Sequence, residues 1–99
     1  MKGYILAEIE VKDQEKYAKY IAATPAVIRK YGGRFLIRGG EPVVLEGSTV
    51  ASRVVLVEFP SPEKARQFYY SPEYQQVRRL RTGAAQGLLI ALSGVETKA

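Results

Sequence analysis

Two glycine pairs set the first constraint on this chain. From Lys30 to Gly40 it reads Lys-Tyr-Gly-Gly-Arg-Phe-Leu-Ile-Arg-Gly-Gly. An amphipathic helix arriving at Tyr31 must stop where Gly32 can take the left-handed conformation that ends helices. Only a short strand fits before Gly39 to Pro42 turns or bulges the chain. Simple alternation across that strand, Arg34 to Arg38, puts Phe35 and Ile37 on one face and Arg34, Leu36 and Arg38 on the other.

Before that stretch, Lys2 to Val11 alternates Ile5, Ala7, Ile9 and Val11 against Tyr4, Leu6, Glu8 and Glu10, the period of a strand. Asp13 is placed as an N-cap, with Glu15 in the first turn at the positive helix end. Tyr17, Tyr20, Ile21, Val27, Ile28 and Tyr31 then recur at three- and four-residue steps, one apolar stripe that must lie against something. Pro25 lacks an amide proton and crowds the preceding turn, so a kink or restart is expected near Thr24.

After the glycines, Val43 to Glu46 reads as a resumed extended run and Gly47 to Ser52 as a polar loop. Arg53 to Phe59 is a strand in which Val54 to Val57 are apolar without alternation, as in a strand covered on both faces. Ser61-Pro62-Glu63 joins a capping hydroxyl, a first-turn proline and an acid. The same triplet at Ser71-Pro72-Glu73 implies that a helix carrying Ala65, Phe68 and Tyr69 breaks and restarts into one carrying Tyr74, Val77 and Leu80. Gly87 to Leu92 is a last strand, apolar on both faces, and Glu96 to Ala99 is expected to be loose.

The order strand, helix, strand, strand, helix, strand over one antiparallel sheet describes a ferredoxin-like α+β sandwich with both helices on one face. At 99 residues the chain is one domain, 1–99, near the small end for burying its own core. The helices can cover only one face, so a monomer would expose an apolar patch. A homodimer pairing the open sheet faces about a twofold axis is the economical arrangement.

Composition removes several chemistries. There is no cysteine, so no disulfide or thiolate, which fits a reducing cytoplasm. There is no histidine, so the usual general base and the commonest metal and haem ligand are missing. No metal or cofactor is implied. The chain enters a strand pattern at once without a charged and apolar leader, and no apolar run approaches the roughly 20 residues of a membrane span. It is therefore expected to stay in the cytoplasm, away from membranes. The net charge of +5 is spread through the chain and reads as solvated surface in preference to a nucleic-acid patch.

Several stretches resemble the domain of unknown function 1330 family of the dimeric α+β barrel superfamily. They are Gly3-Tyr4, Asp13 with Glu15 and Tyr17, Lys30 to Gly40, Leu45-Glu46-Gly47, Val55, Glu58-Phe59-Pro60-Ser61, Ala65, Tyr70-Ser71-Pro72-Glu73-Tyr74-Gln75 and Arg81. The likeness covers nearly the whole chain, and it implies the dimeric barrel fold without an activity. Two departures bear on a pocket. Phe68-Tyr69-Tyr70 stands where the family more often has a tryptophan, which alters a pocket wall, and Leu92-Ser93-Gly94 replaces a Val-Glu-Gly ending, which removes a carboxylate.

The candidate site is a pocket between sheet and helices for a small anionic or aromatic molecule. Arg34 and Arg38, read as sharing a face, could clamp an anion beside Glu58. A structural ion pair is the favoured alternative for Arg34 and Glu58, whereas Arg38 stands even between the two roles. Tyr17, Tyr20, Tyr70 and Tyr74 could present hydroxyls, though tyrosines more often rim a core. Ser71 reads as a helix cap, since no histidine exists to activate it.

A cofactor-independent oxygenase or isomerase, as known elsewhere in the superfamily, would use Arg38 and tyrosine hydroxyls on an oxyanion. The alternative is a non-catalytic, stress-associated module. RNA-recognition domains share the element order, but their basic-Gly-aromatic pattern is missing from Arg53 to Phe59, so no nucleic-acid partner is expected. Between enzyme and passive binder the residues do not decide.

Overall fold

A computed structural model describes residues 1–49 and 51–96. The loose end expected at Glu96 to Ala99 therefore lies, past Glu96, outside the described residues, as does Val50 of the expected polar loop. The elements run β1 (Gly3–Val11), α1 (Gln14–Lys30), β2 (Arg34–Gly40), β3 (Arg53–Phe59), α2 (Pro62–Tyr70), α3 (Pro72–Arg78) with a single 3-10 turn at Arg79–Arg81, and β4 (Ala85–Ser93). The four strands form one sheet in the order β2-β3-β1-β4. Every neighbouring pair is antiparallel. This is the α+β, ferredoxin-like arrangement expected from the element order.

Capping sets where the helices start. The Asp13 carboxylate accepts from the Lys16 amide at 3.1 Å. The Ser61 hydroxyl does the same for Lys64 at 3.2 Å. Ser71 serves two helices at once, its hydroxyl donating to the Phe68 carbonyl at 2.7 Å and accepting from the Tyr74 amide at 3.1 Å. Gly32, at φ 80°, closes α1 as expected.

The register divides the sheet into two faces. Ile5 pairs with Val57 and Ala91, and Ala7 with Val55 and Leu89. These residues look toward the helices, where Ile5, Val57 and Phe59 pack with Ile28, Ala65, Phe68 and Tyr74. A second cluster joins Ala7 and Ile9 to Tyr17 and Ala84. On the other face Leu6 pairs with Leu56 and Ile90, Tyr4 with Glu58 and Leu92, and Glu8 with Val54 and Leu88. No element covers this face among the described residues, and Ile37, Leu88 and Leu92 there are 42%, 50% and 43% exposed.

Three expectations are corrected. First, α1 does not restart near Thr24 but is one helix through Pro25. The Thr24 hydroxyl donates to the Tyr20 carbonyl at 2.5 Å, engaging one acceptor in the turn that the proline disturbs. Second, Val43 to Glu46 forms no strand, and Val43 and Leu45 are 82% and 94% exposed in the loop between β2 and β3. Third, Arg34 and Arg38 do not share a face. The β2–β3 register runs Arg34–Glu58, Phe35–Val57, Ile37–Leu56 and Arg38–Val55, with a bulge between Phe35 and Ile37. The extra residue reverses the alternation. Phe35 and Arg38 face the helices, while Arg34 and Ile37 face outward.

Candidate functional site

The bulge delivers Arg38 to the wall of a cavity between the helix-side face of the sheet and α1. The cavity is enclosed mainly by Ile5, Ala7, Val55, Val57, Ile28 and Phe68, with Arg38, Arg53, Tyr17, Tyr20, Tyr74 and Thr24 as its polar lining. Its volume of about 50 Å³ is roughly four water-sized spheres. Apolar walls with a few convergent polar groups are the usual build of a small-molecule site.

The guanidinium groups are held by rings. Arg38 lies over Phe35 with its Cζ 4.5 Å from the ring centre, and Arg53 lies 5.7 Å from the centre of Tyr17. Arg53 opens β3 with the same parity as Val55 and Val57, so the alternation of that strand turns it inward. Its guanidinium fills the space that a side chain on Gly39 would take. Gly39 also has φ 82°, so two demands favour glycine there. The Nε of Arg53 is buried without a hydrogen-bond partner. Neither Arg38 nor Arg53 has a carboxylate within ion-pair distance among the described residues.

The tyrosines supply hydroxyls. Tyr20 and Tyr74 share a hydrogen bond of 2.7 Å between their Oη atoms, and the rings of Tyr17 and Tyr20 are 5.4 Å apart. Burial pushes the Tyr17 phenol up, partly offset by the Arg53 charge. Burial pushes Tyr20 up further, and Tyr74 adds to the effect. Both are neutral donors at physiological pH. Behind them the Arg81 guanidinium lies 5.5 Å from the Tyr20 ring centre, its Nε also buried without a partner. Burial acts to lower its pKa, but the phenolic oxygens of Tyr74 and Tyr20 outweigh this and hold it above the usual value.

Of the eight residues expected from the sequence, Tyr17, Tyr20, Arg38 and Tyr74 line this cavity. Arg34 and Glu58 do not. They pair on the open face, Arg34 Nε donating to Glu58 Oε1 at 3.0 Å and Tyr4 donating to Glu58 Oε2 at 3.2 Å. Tyr70 is 74% exposed and lines a separate groove with Tyr69 and Arg66. Ser71 is buried, its hydroxyl committed to the two helix ends. Sequence reasoning missed Arg53, Thr24 and Arg81. Counting back from Phe59 by twos would have found Arg53. Arg81 carries no comparable signal, because its position depends on how the turn after α3 docks on α1. Among the described residues no group of three or more His, Cys, Asp or Glu side chains could hold a metal ion, and no helix is long and apolar enough to cross a membrane.

Solved structures share the fold at low identity. RPA0582, a protein of unknown function from Rhodopseudomonas palustris, is 21% identical over 96% of this chain and 83% of its own, with a TM-score of 0.76. SnoaB, a cofactor-independent oxygenase from Streptomyces nogalater, is 12% identical over 98% of this chain and 96% of its own, at 0.67. A dimeric ferredoxin-like protein of unknown function from Jannaschia sp. CCS1 is 12% identical over 95% of this chain and all (100%) of its own, at 0.63. No curated protein matches. The domain of unknown function DUF1330 matches residues 2–95, and the chain belongs to that family.

Proposed function

We propose that the protein is a homodimer that binds a small anionic molecule in the cavity beneath α1, with Arg38 and Arg53 as its anion-binding groups. The buried, unpartnered Nε of Arg53 carries this reading. An Nε withdrawn from water, on a guanidinium with no carboxylate beside it, leaves a donor that a bound oxyanion would satisfy. The apolar body of the ligand would lie against Phe35, Val55 and Val57, and Tyr17 would add a hydroxyl. The homodimer is supported by the uncovered apolar face of Leu6, Leu56, Ile90 and Leu92 and by the Jannaschia protein, which is described as dimeric.

Native mass spectrometry on protein from its own host, followed by denaturing release, tests both parts. The expected result is a dimer carrying a small anion, with Arg53→Met weakening that anion by about tenfold or more. A monomer would overturn the assembly, and an anion bound equally well by Arg53→Met would overturn the site.

A second reading is an oxygenase or isomerase in which the same donors stabilise an oxyanion during turnover. It is favoured by the part-buried, hydrogen-bonded Tyr20–Tyr74 hydroxyl pair and by the fold shared with SnoaB. Turnover of the released ligand by the purified protein, lost in Arg38→Ala, would establish it.

A further inference from the structure

The cavity has a second donor cluster that an anion on Arg38 and Arg53 would leave unused. Tyr20 and Tyr74 are bonded to each other at 2.7 Å, which consumes one of their two hydroxyl protons. The other proton has no partner among the described residues. Arg81 stands beside this pair with its own Nε buried and unpartnered, and a guanidinium can only donate. It lies outside the cavity lining, whereas both tyrosines are within it. Its positive charge stands on the side of the pair away from the cavity and favours phenolic lone pairs on that side. The free hydroxyl proton is thereby turned toward the cavity. The cluster has donors in excess, so whatever fills the cavity must bring an acceptor.

We infer that the Tyr20–Tyr74 pair is a donor subsite for a second oxygen of the ligand, with Arg81 as the positioning residue behind it. The ligand class is then a short-chain oxo carboxylate. Its carboxylate rests on Arg38 and Arg53, and its carbonyl oxygen accepts from the tyrosine pair. A volume of about 50 Å³ suits a carbon skeleton of a few atoms. This assignment rests on the anion-binding reading above and adds the second oxygen to it.

The test uses two acids of equal length that differ only in that oxygen, butyrate and 2-oxobutyrate. Both are titrated into the intact protein at neutral pH by calorimetry. The expected result is that 2-oxobutyrate binds about tenfold tighter than butyrate, the effect of one added hydrogen bond to a site that otherwise leaves its donor unpaired. The double variant Tyr20→Phe, Tyr74→Phe should lose that ratio. Arg81→Met should reduce it, and Arg81→Lys should restore part of it, which a merely structural arginine would not do. Should Arg81→Met fail to fold, the tyrosine double variant decides alone. Equal binding of the two acids would overturn the oxo-acid assignment while leaving the anion site standing. A ratio that survives in the double variant would also overturn it. If neither acid binds, the anion site itself falls, and this subsite with it.

Discussion

The two faces of the sheet receive one arginine each from β2, and they use them in opposite ways. On the open face Arg34 meets Glu58, which Tyr4 also bonds, so its charge is answered by a carboxylate. On the helix side Arg38 and Arg53 stack on rings and meet no carboxylate among the described residues. Both faces are rich in valine and leucine, so hydrophobicity does not distinguish them. The difference is the local count of acceptors. A cation with a carboxylate partner closes a surface, whereas one stacked on an aromatic ring remains available to an incoming anion.

The contrast can be broken most forcefully in the covered layer. Phe68 is buried and touches three rings, with centroids 5.1 Å from Phe59, 4.6 Å from Tyr74 and 6.3 Å from Tyr31. Phe68→Ala should cost about 3–5 kcal/mol in denaturant melts. Leu56→Ala, on the open face, should cost clearly less when measured at a concentration where the protein is monomeric. Equal losses would mean that the open face is as tightly packed as the covered one.

A smaller effect is expected at Gly39, in the second register shift of β2, between Arg38 and Gly40. Gly39→Val would force a β-branched residue to φ 82° and displace the Arg53 guanidinium. It should cost about 1–3 kcal/mol and weaken anion binding at the same time. Unchanged anion affinity would show that Arg53 need not sit over this glycine.

The smallest effects come from pH, and they have opposite signs on the two faces. The hydrogen bond from Arg34 holds the Glu58 carboxyl below its usual range. Its stabilisation is thus fully present above the unfolded value of about 4.3 and is lost as pH falls through the lower folded value. Burial holds the Tyr20 phenol above its usual range. Its contribution is fully present below the unfolded value of about 10 and is lost as pH rises beyond it. In Tm measured across pH, Glu58→Gln should shallow the acid limb and Tyr20→Phe the alkaline one. Each variant altering the other limb would contradict the assignment.

Most of the architecture was legible because it rests on local signals. Asp13, Ser61 and Ser71 each combine a capping oxygen with a suitable first turn, and strict alternation from Gly3 to Val11 assigns every residue of β1 to its face. Two features were hidden. The run Val54 to Val57 is apolar throughout, so it does not reveal that Val54 and Leu56 lie on an uncovered surface. The bulge between Phe35 and Ile37 comes from pairing with β3, a long-range contact that no pattern within β2 announces. That single shift is why Arg34 and Arg38 were paired in the sequence reading and are separated in the fold. The end of α1 was marked by Gly32, whereas its continuity through Pro25 had no signal in the sequence.

The bulge lies in an edge strand, where only one neighbour constrains the register. An insertion or deletion of one residue there would exchange the inward and outward members of β2 without replacing any side chain. Descendants of such a chain could therefore gain or lose an anion site through a change in length alone, and a comparison made residue by residue would register the arginine as retained while its chemistry had moved to the opposite surface.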